Sequence, residues 1–242
     1  MTRLYTPQAL HTGGVITLSP ESSHHLLTVL RAAIGAEVVL FNGDGNAYTA
    51  TLTQASKKLA TLHISACVIQ TPAPTLQLTV LHALAQGERM DYAVQKTTEL
   101  GVSHIVIFPS ARSQLRLTGE RLDKKLAHWQ QVAISACEQC GYNWVPRVSY
   151  VSDYTQALAQ ARTPDEVALI LDPEAPHAVA QLPASPAYRV LIGPEGGFTA
   201  AEVQQAQAAG YGGVRLGPRI LRCETAGVVA LAALQTVFGD FR

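Results

Sequence analysis

Hydrophobic and polar positions follow two different patterns along this chain. Up to about residue 66, short apolar runs separated by polar turns predict strands, at residues 15–18, 37–41, 47–53 and 59–64. One helical pattern, residues 19–31, interrupts them, and the run Asn-Gly-Asp-Gly-Asn at residues 42–46 indicates a hairpin turn. A strand-rich unit of this size is expected to close into a small barrel, and such barrels more often bind ligands than catalyse reactions.

The pattern changes after a segment at residues 70–75 that carries two prolines and indicates a linker. Strands are predicted at residues 76–84, 105–108, 167–171, 188–192 and 214–216, and helices at residues 89–100, 122–140 and 154–161. A further helix is expected to open at Thr199, with Glu202 completing a capping box. This alternation predicts an α/β domain with a parallel sheet, in which ligands bind beyond the carboxyl ends of the strands.

Two of these predicted strands end in glycine-rich turns. The strand at residues 188–192 runs into Gly-Pro-Glu-Gly-Gly at residues 193–197, and the strand at residues 214–216 runs into Gly217-Pro218. The second turn leads to a helix, residues 225–238, that is apolar nearly all round and must be buried on several sides. Fold core and subunit interface are both open explanations for that helix, and the paired turns suggest a ligand site.

Composition narrows the class of protein. With 242 residues and 48% hydrophobic composition, the chain can bury a sizeable core. Eighteen basic residues balance eighteen acidic ones, so any nucleic-acid surface must be a local patch. The amino terminus lacks the apolar core of a signal peptide, and no apolar run reaches the roughly 18 residues that span a bilayer. We expect a soluble, cytoplasmic protein.

The chain lacks the sequence motifs of several common enzyme classes. The chain has no phosphate-binding G-x-x-x-x-G-K-[ST], no G-x-G-x-x-G after a strand, no H-E-x-x-H, no G-x-S-x-G and no cluster of metal ligands. Kinases, GTPases, Rossmann dehydrogenases and metalloenzymes are therefore disfavoured. Cys137 and Cys140 form a C-x-x-C inside a helical pattern, but no second pair completes a zinc site. We expect small residues on one helix and reduced thiols throughout.

Ordered motifs along nearly the whole chain resemble the RsmE family, the ribosomal RNA small subunit methyltransferases E. They are residues 96–102 (KTTELGV), 138–141 (EQCG), 192–197 (IGPEGG) and 216–226 (LGPRILRCETA), with Arg3, residues 24–26 (HHL) and residues 29–31 (VLR) nearer the amino terminus. The resemblance implies methylation of N3 of one uridine in 16S rRNA of the small ribosomal subunit, with S-adenosylmethionine as cofactor. It also implies a homodimer, with a PUA-like β-barrel at residues 1–70 and a SPOUT methyltransferase domain at residues 71–242 that ends in a trefoil knot.

Carried over by position, the resemblance implies a cofactor pocket made by three loops. The implied cofactor-binding residues are Leu171, Asp172, Pro173, Ile192, Gly193, Pro194, Gly196, Gly197, Leu216, Gly217, Ile220, Leu221, Cys223 and Thr225. Glycines permit close approach of the backbone to a ligand, and the aliphatic side chains supply an apolar wall.

The implied chemistry needs help with a proton, because N3 of uridine is mostly protonated at neutral pH. Arg219 and Arg222 are expected to stabilise the negative charge that develops on the base. Glu195 is a candidate base, and a structural tie across its turn is the alternative. Glu224 is also a candidate base, and its alternative role is to cap the helix that it starts.

RNA contact is expected from Arg3, His24, His25, Arg31, Lys96, Arg112 and Tyr142. Lys96 has an alternative, a surface ion pair with Glu99, and the two histidines have the alternative of ordinary helix-surface residues. The chain departs from the family where Tyr142 and Trp144 replace basic residues and where Gln86 replaces a common lysine. The two aromatic residues are expected either to stack on bases or to serve in packing.

Two rival functions remain open from the sequence. One is a different SPOUT methyltransferase that acts on transfer RNA or on a ribose 2′-hydroxyl, against which the motifs at residues 138–141 and 221–225 argue. The other is an RNA-binding or ribosome-assembly protein that holds the cofactor without turnover. The neutral net charge favours it slightly, whereas the intact glycines and arginines of the predicted pocket weigh against it.

Overall fold

The structure, a computed structural model, describes residues 1–56 and 58–241. Contacts between residues divide the chain into two compact units. The first contains residues 1–73 together with 137–145, and the second contains residues 74–136 and 146–242. The division predicted at residue 70 would assign residues 137–145 to the second domain, and it stays a prediction.

The first unit is built on a five-stranded sheet with the order β1-β3-β4-β5-β2. Its strands are β1 (Arg3–Tyr5), β2 (Val15–Thr17), β3 (Glu37–Phe41), β4 (Asn46–Ala55) and β5 (Ala60–Gln70). The strand β3 has the predicted bounds, whereas β1 was not predicted because three residues are too few to show alternation. The predicted helix is shorter and less regular than expected. It forms α1 (Pro20–His24), capped by the Ser19 side chain, followed by a π-helical turn (His25–Val29).

The second unit contains a seven-stranded sheet with the order β10-β12-β9-β11-β6-β7-β8, in which every pairing is parallel, as predicted. Its strands are β6 (Gln77–Ala83), β7 (His104–Phe108), β8 (Arg147–Tyr150), β9 (Val167–Leu171), β10 (His177–Ala178), β11 (Ala187–Ile192) and β12 (Gly212–Arg215). The strand β12 begins two residues before the predicted strand, and the short edge strands β8 and β10 were not predicted.

Helices cover both faces of this sheet. They are α2 (Arg89–Glu99), α3 (Gly119–Cys140), α4 (Tyr154–Leu158), α5 (Ala200–Ala208) and α6 (Cys223–Phe238). Side chains of α2, α3 and α6 join one apolar core, and those of α4 and α5 join another on the opposite face. The predicted capping box of α5 is confirmed, since the Thr199 hydroxyl accepts from the Glu202 N–H at 3.2 Å and Glu202 Oε2 accepts from the Thr199 N–H at 2.8 Å.

The apolar helix α6 packs closely against the sheet through a glycine. A Cβ atom placed at Gly227 would lie 2.8 Å from Ile192 Cδ1 and 3.8 Å from Thr97 Cγ2. The side chains of α6 that face the core are buried, but Val228, Val229, Ala232 and Ala233 remain partly accessible. This helix therefore belongs to the core along one side and presents an apolar surface along the other.

Within residues 1–56 and 58–241, no helix combines the length and the apolarity needed to cross a bilayer. The same residues contain no group of three or more His, Cys, Asp or Glu side chains placed to hold a metal ion. The trefoil knot stays a prediction.

Candidate active site

A cavity of about 500 Å³ lies in the second unit, beyond the carboxyl ends of three neighbouring strands. The strands β12, β9 and β11 are adjacent and parallel, so the loops that follow them meet at one edge of the sheet. Pockets for small molecules have volumes of roughly 300–1,000 Å³, and this cavity falls within that range. The position agrees with the sheet edge at which ligands of α/β proteins bind.

The cavity brings together most of the residues that the sequence proposed for the cofactor. From that set, its lining contains Leu171, Asp172, Pro173, Ile192, Gly193, Pro194, Gly197, Leu216, Gly217, Ile220, Leu221 and Cys223. Gly196 and Thr225 lie outside the lining. The proposed catalytic residues Arg219, Arg222 and Glu195 also line the cavity, and further lining residues are Arg89, Phe198, Val203, Val214, Glu224 and Ala226.

Glycines set the course of two lining loops. Gly197 and Gly217 have φ angles of 67° and 98°, in the left-handed region that most side chains avoid. An added Cβ would meet no atom within 4 Å at either position, so backbone conformation rather than space requires glycine there. The third loop is held by Asp172, whose Oδ1 accepts from the Glu174 N–H at 2.9 Å and whose N–H donates to the Val214 carbonyl at 3.0 Å.

Glu195 is tied to Arg89, at the start of α2. Its Oε1 accepts from Arg89 Nη1 at 2.6 Å and from the Gln86 N–H at 2.9 Å, and Arg89 Nε lies 3.8 Å from Glu224 Oε1. Burial by itself would raise the pKa of Glu195, but the hydrogen bonds from backbone N–H groups and Arg89 outweigh it and lower that pKa. The geometry is that of a structural tie, and a carboxylate with a lowered pKa is a poor proton acceptor.

Beneath the cavity lies a buried histidine that the sequence did not single out. His82, on β6, is only 1% exposed, and its Nδ1 lies 2.7 Å from the Ala83 carbonyl oxygen. Burial lowers the pKa of His82. The backbone of Ala83 and Cys223, through hydrogen bonding, and the negative charges of Glu224 and Glu195 oppose this shift. The ring is therefore neutral at pH 7, and Nδ1–H is the donor to the Ala83 carbonyl. In a sequence, a single histidine within an apolar strand cannot be distinguished from an ordinary core residue.

Cys223 lies at the first position of α6, at the wall of the cavity. Burial, followed by the contact with Glu224, raises the pKa of its thiol to about 12, and its Sγ donates to Glu224 Oε2 at 3.3 Å. Burial likewise raises the pKa of Cys137 to about 12. Cys67 and Cys140 are exposed free thiols.

These environments predict a reactivity order among the thiols. At pH 7.5, iodoacetamide is expected to alkylate Cys67 and Cys140 within minutes, because the thiolate is the nucleophile and these thiols are accessible. Cys137 and Cys223 are expected to remain unmodified until the protein is unfolded. Peptide mass spectrometry over a time course measures the order. Labelling of native Cys223 as fast as Cys67 would contradict the environment described.

The two arginines beside the cavity are available to a ligand. Arg219 and Arg222 are exposed and form no ion pair or hydrogen bond through their side chains with any described residue. The backbone of Arg222 begins α6, where its carbonyl accepts from the Thr225 and Ala226 N–H groups at 3.0 and 2.8 Å. Ile220, between the two arginines, is 86% exposed. Two exposed guanidinium groups and an exposed apolar side chain thus lie at the rim of the cavity.

The residues proposed for RNA contact occupy different environments. In the second unit, Arg112 Nη1 donates to the Gly196 carbonyl at 2.8 Å, and Lys96 pairs with Glu99 at 2.7 Å. The guanidinium of Arg112 thus supports the 193–197 loop, and Lys96 adopts the ion-pair alternative. In the first unit, His24, His25 and Arg31 are exposed.

Residues 137–145 and Arg3 pack within the first unit. Arg3 donates to Asn143 Oδ1 and lies over the ring of Phe41 at 4.9 Å, and burial lowers the pKa of Arg3. Trp144 Nε1 donates to the carbonyls of Thr71 and Pro72 at 3.1 and 3.0 Å. Tyr142 packs against an apolar cluster that includes Phe41 and Cys137. Both aromatic residues thus have packing contacts within the first unit, and their stacking on bases stays a prediction.

Comparisons with known proteins agree with this architecture. The chain matches the model of an RNA methyltransferase domain over residues 71–235 and of an RNA methyltransferase PUA domain over residues 18–65. It is 30% identical to the ribosomal RNA small subunit methyltransferase E of Buchnera aphidicola, covering 99% of this chain and 95% of the relative. The corresponding Mycobacterium bovis protein is 33% identical, over 92% of this chain and 87% of its own.

Solved structures extend the likeness to the whole fold. A ribosomal RNA small subunit methyltransferase E from Neisseria gonorrhoeae, solved with S-adenosylmethionine, is 38% identical with a TM-score of 0.92 over all of both chains. A methyltransferase from Legionella pneumophila, solved with the same cofactor, is 35% identical with a TM-score of 0.93, covering 99% of this chain and 98% of its own. By domain models, sequence and fold, this chain belongs to the ribosomal RNA small subunit methyltransferase E family.

Proposed function

We propose that this protein methylates N3 of one uridine in 16S rRNA of the small ribosomal subunit, with S-adenosylmethionine as methyl donor. The observation that carries the proposal is the cavity beyond β9, β11 and β12, whose lining contains all the proposed cofactor residues except Gly196 and Thr225. Family membership and the two relatives solved with the same cofactor support it. A cytoplasmic location accords with a ribosomal substrate and forms part of the proposal, which cell fractionation tests.

The cavity suits a ligand with an adenine, a sugar and an amino-acid tail. Leu171, Leu216 and Leu221 contribute an apolar wall for a flat ring, while the glycine turns leave backbone N–H and C=O groups near the space. Glu195 and Arg89 both line the cavity and form an ion pair, so the Glu195 carboxylate does not face a ligand as an unpaired negative charge. S-adenosylmethionine, when bound, supplies an electrophilic methyl group on its sulfonium.

The chain's own residues then have two tasks at the uridine. One is to place N3 against the methyl group, since orientation alone can supply several kcal/mol of the barrier. The other is to stabilise the negative charge that spreads over O2 and O4 as N3 releases its proton to solvent water. Arg219 and Arg222 suit the second task because they line the cavity and their guanidinium groups form no ion pair with any residue that the structure describes. Glu195, held by Arg89 and with a lowered pKa, suits the positioning of its loop rather than proton removal.

Deleting the protein from its host is the direct test. We expect the small-subunit rRNA to lose one N3-methyluridine, and a plasmid copy of the wild-type gene to restore it. Mapping by nuclease digestion and mass spectrometry locates the modified position. An unchanged N3-methyluridine content would refute the proposed reaction, and loss of a ribose 2′-O-methyl or of a transfer RNA modification would favour the rival enzyme.

The left-handed turn at Gly197 gives a test of the cofactor site. Gly197→Val is expected to abolish measurable S-adenosylmethionine binding, because a β-branched residue is strongly disfavoured at a φ of 67° and the loop must change course. Gly197→Asn is the matched control, since asparagine tolerates this region. We expect calorimetry to show affinity within about threefold of wild type for Asn, a difference below 1 kcal/mol. Equal affinities for the Val variant and wild type would place the cofactor elsewhere.

We also propose that the protein is a homodimer. The partly accessible apolar residues of α6 support this, because a helix that is apolar nearly all round is expected to be covered on more than one side. Light scattering after size exclusion, or sedimentation equilibrium, should give twice the chain mass of 25.8 kDa. A monomer at tens of micromolar would refute it.

A further inference from the structure

The amino-terminal half of α3 carries a stripe of basic side chains that the proposed reaction does not use. Arg121, Lys124, Lys125 and His128 recur at the i, i+3, i+4 and i+7 positions of one helix face. The stripe extends roughly 10 Å along the helix, from the rise of about 1.5 Å per residue. Together with Glu120, these residues line a shallow depression of about 490 Å³.

Stability does not account for this stripe. Arg121 lies in the first turn of α3, where the helix dipole favours acidic rather than basic residues. The ion pair of Lys124 with Glu120, at 3.5 Å, joins side chains that are 80% and 89% exposed, so it adds little. Arg121 has no side-chain partner among the described residues, and Lys125 only lies over the Trp129 ring at 6.0 Å.

The stripe is also where positive charge remains available. The formal net charge of the chain is zero, so attraction of a polyanion must come from local groups. Arg3, Lys96 and Arg112 are engaged by Asn143, by Glu99 and by the carbonyls of the 193–197 loop. In the described part of the second unit, Arg121, Arg219 and Arg222 form no ion pair through their side chains, and Lys124 has only its exposed pair with Glu120.

A carboxylate fixes the stripe relative to the cavity. Asp91, two residues after the cavity-lining Arg89, accepts from His128 Nε2 at 2.8 Å and from Trp129 Nε1 at 3.0 Å. The beginning of α2 is therefore shared by the cavity and by the contact that holds α3. The stripe and the cavity therefore belong to the same unit.

We propose that Arg121, Lys124 and Lys125 bind backbone phosphates of the RNA strand that carries the target uridine, outside the cavity itself. The inference rests on the proposed function and adds a second, sequence-independent contact to it. These basic side chains lie on one helix face, with Arg121 and Lys124 exposed and Lys125 half-buried. They suit backbone phosphates, which are contacted as charges and give affinity without reading the base. Such a surface would secure the flanking strand while the uridine enters the cavity.

The double variant Arg121→Gln/Lys124→Gln tests the stripe. Arg147→Gln is the control, because Arg147 is exposed, forms no ion pair within residues 1–56 and 58–241, and begins β8 at the sheet edge opposite the cavity. RNA affinity is measured as a function of salt with a 16S rRNA fragment that the wild-type enzyme methylates. S-adenosylmethionine affinity is measured by calorimetry in parallel.

For the double variant we expect RNA affinity to fall roughly tenfold at low salt. The slope of log K against log salt should become shallower by about 1.4, because each lost phosphate contact on a single strand removes about 0.7. Cofactor affinity and the turnover at saturating RNA should stay at wild-type values, and Arg147→Gln should leave both the affinity and the slope unchanged. An unchanged slope in the double variant would overturn the inference while leaving the proposed reaction intact. If wild-type protein fails to methylate any small-subunit fragment, the proposed function itself fails, which is a separate outcome.

Discussion

Glu166→Gln is expected to lower the free energy of unfolding by about 3–5 kcal/mol, because it leaves a buried guanidinium without its counter-charge. Arg189 and Glu166 form a two-pronged pair, Nη2 to Oε2 at 3.0 Å and Nε to Oε1 at 3.2 Å, between side chains that are 4% and 3% exposed. Arg189 also donates to the carbonyls of Gln160 and Ala161 at 2.8 and 2.6 Å. The pair thus secures β11, which leads into the 193–197 loop, to the segment preceding β9.

The chain supplies a matched control for this substitution. Glu120→Gln removes the same charge from an ion pair that is fully at the surface, and it should change stability by less than about 0.5 kcal/mol. Urea titrations followed by circular dichroism give both values. Equal effects of the two substitutions would mean that the Arg189 environment tolerates an unpaired charge, contrary to the described burial.

The second large effect is expected on catalysis. Arg222→Ala should reduce turnover by roughly 10²–10³-fold, the loss seen when one preorganised donor to a developing oxyanion is removed. The affinity for S-adenosylmethionine should change little, because Arg222 makes no side-chain bond that shapes the cavity among the described residues. Single-turnover measurements with saturating cofactor and a methylatable rRNA fragment separate this loss from weaker binding.

Two further variants sharpen the interpretation. Arg222→Lys keeps the charge but loses the planar fork, so we expect turnover between those of wild type and Ala. Arg116→Ala removes an exposed arginine that does not line the cavity, and it should retain full turnover. Wild-type turnover in Arg222→Ala would remove this residue from the mechanism, and Arg219 would then be the candidate for charge stabilisation.

The parallel sheet was predictable from sequence because its central strands are continuous apolar runs. Residues 167–171 form β9 at the predicted bounds, since that run is flanked by polar residues on both sides. The edge strand His177–Ala178 has two residues and no pattern, and β8 is partly exposed along its length. Only their pairing partners, which are distant in sequence, make these segments strands.

The candidate site was predictable where its residues are contiguous in sequence. The glycine turns and the segment 216–223 follow strands, so their convergence follows from the rule for parallel sheets. Arg89 enters from the start of another helix, and no local pattern marks it as the partner of Glu195. The structural partners of a candidate residue also cannot be identified without coordinates. Trp144 and Arg112 show this, because each has its partners more than seventy residues away in sequence.

The close contact at Gly227 gives the Ile192 side chain two structural roles. Ile192 lines the cavity and also limits how near α6 can approach β11. A bulkier residue at position 227 would drive Ile192 towards the ligand space, whereas a smaller one at position 192 would make room for both. Substrate tolerance and thermal stability are therefore coupled at this pair, and any redesign of the pocket for larger cofactor analogues must vary positions 192 and 227 together.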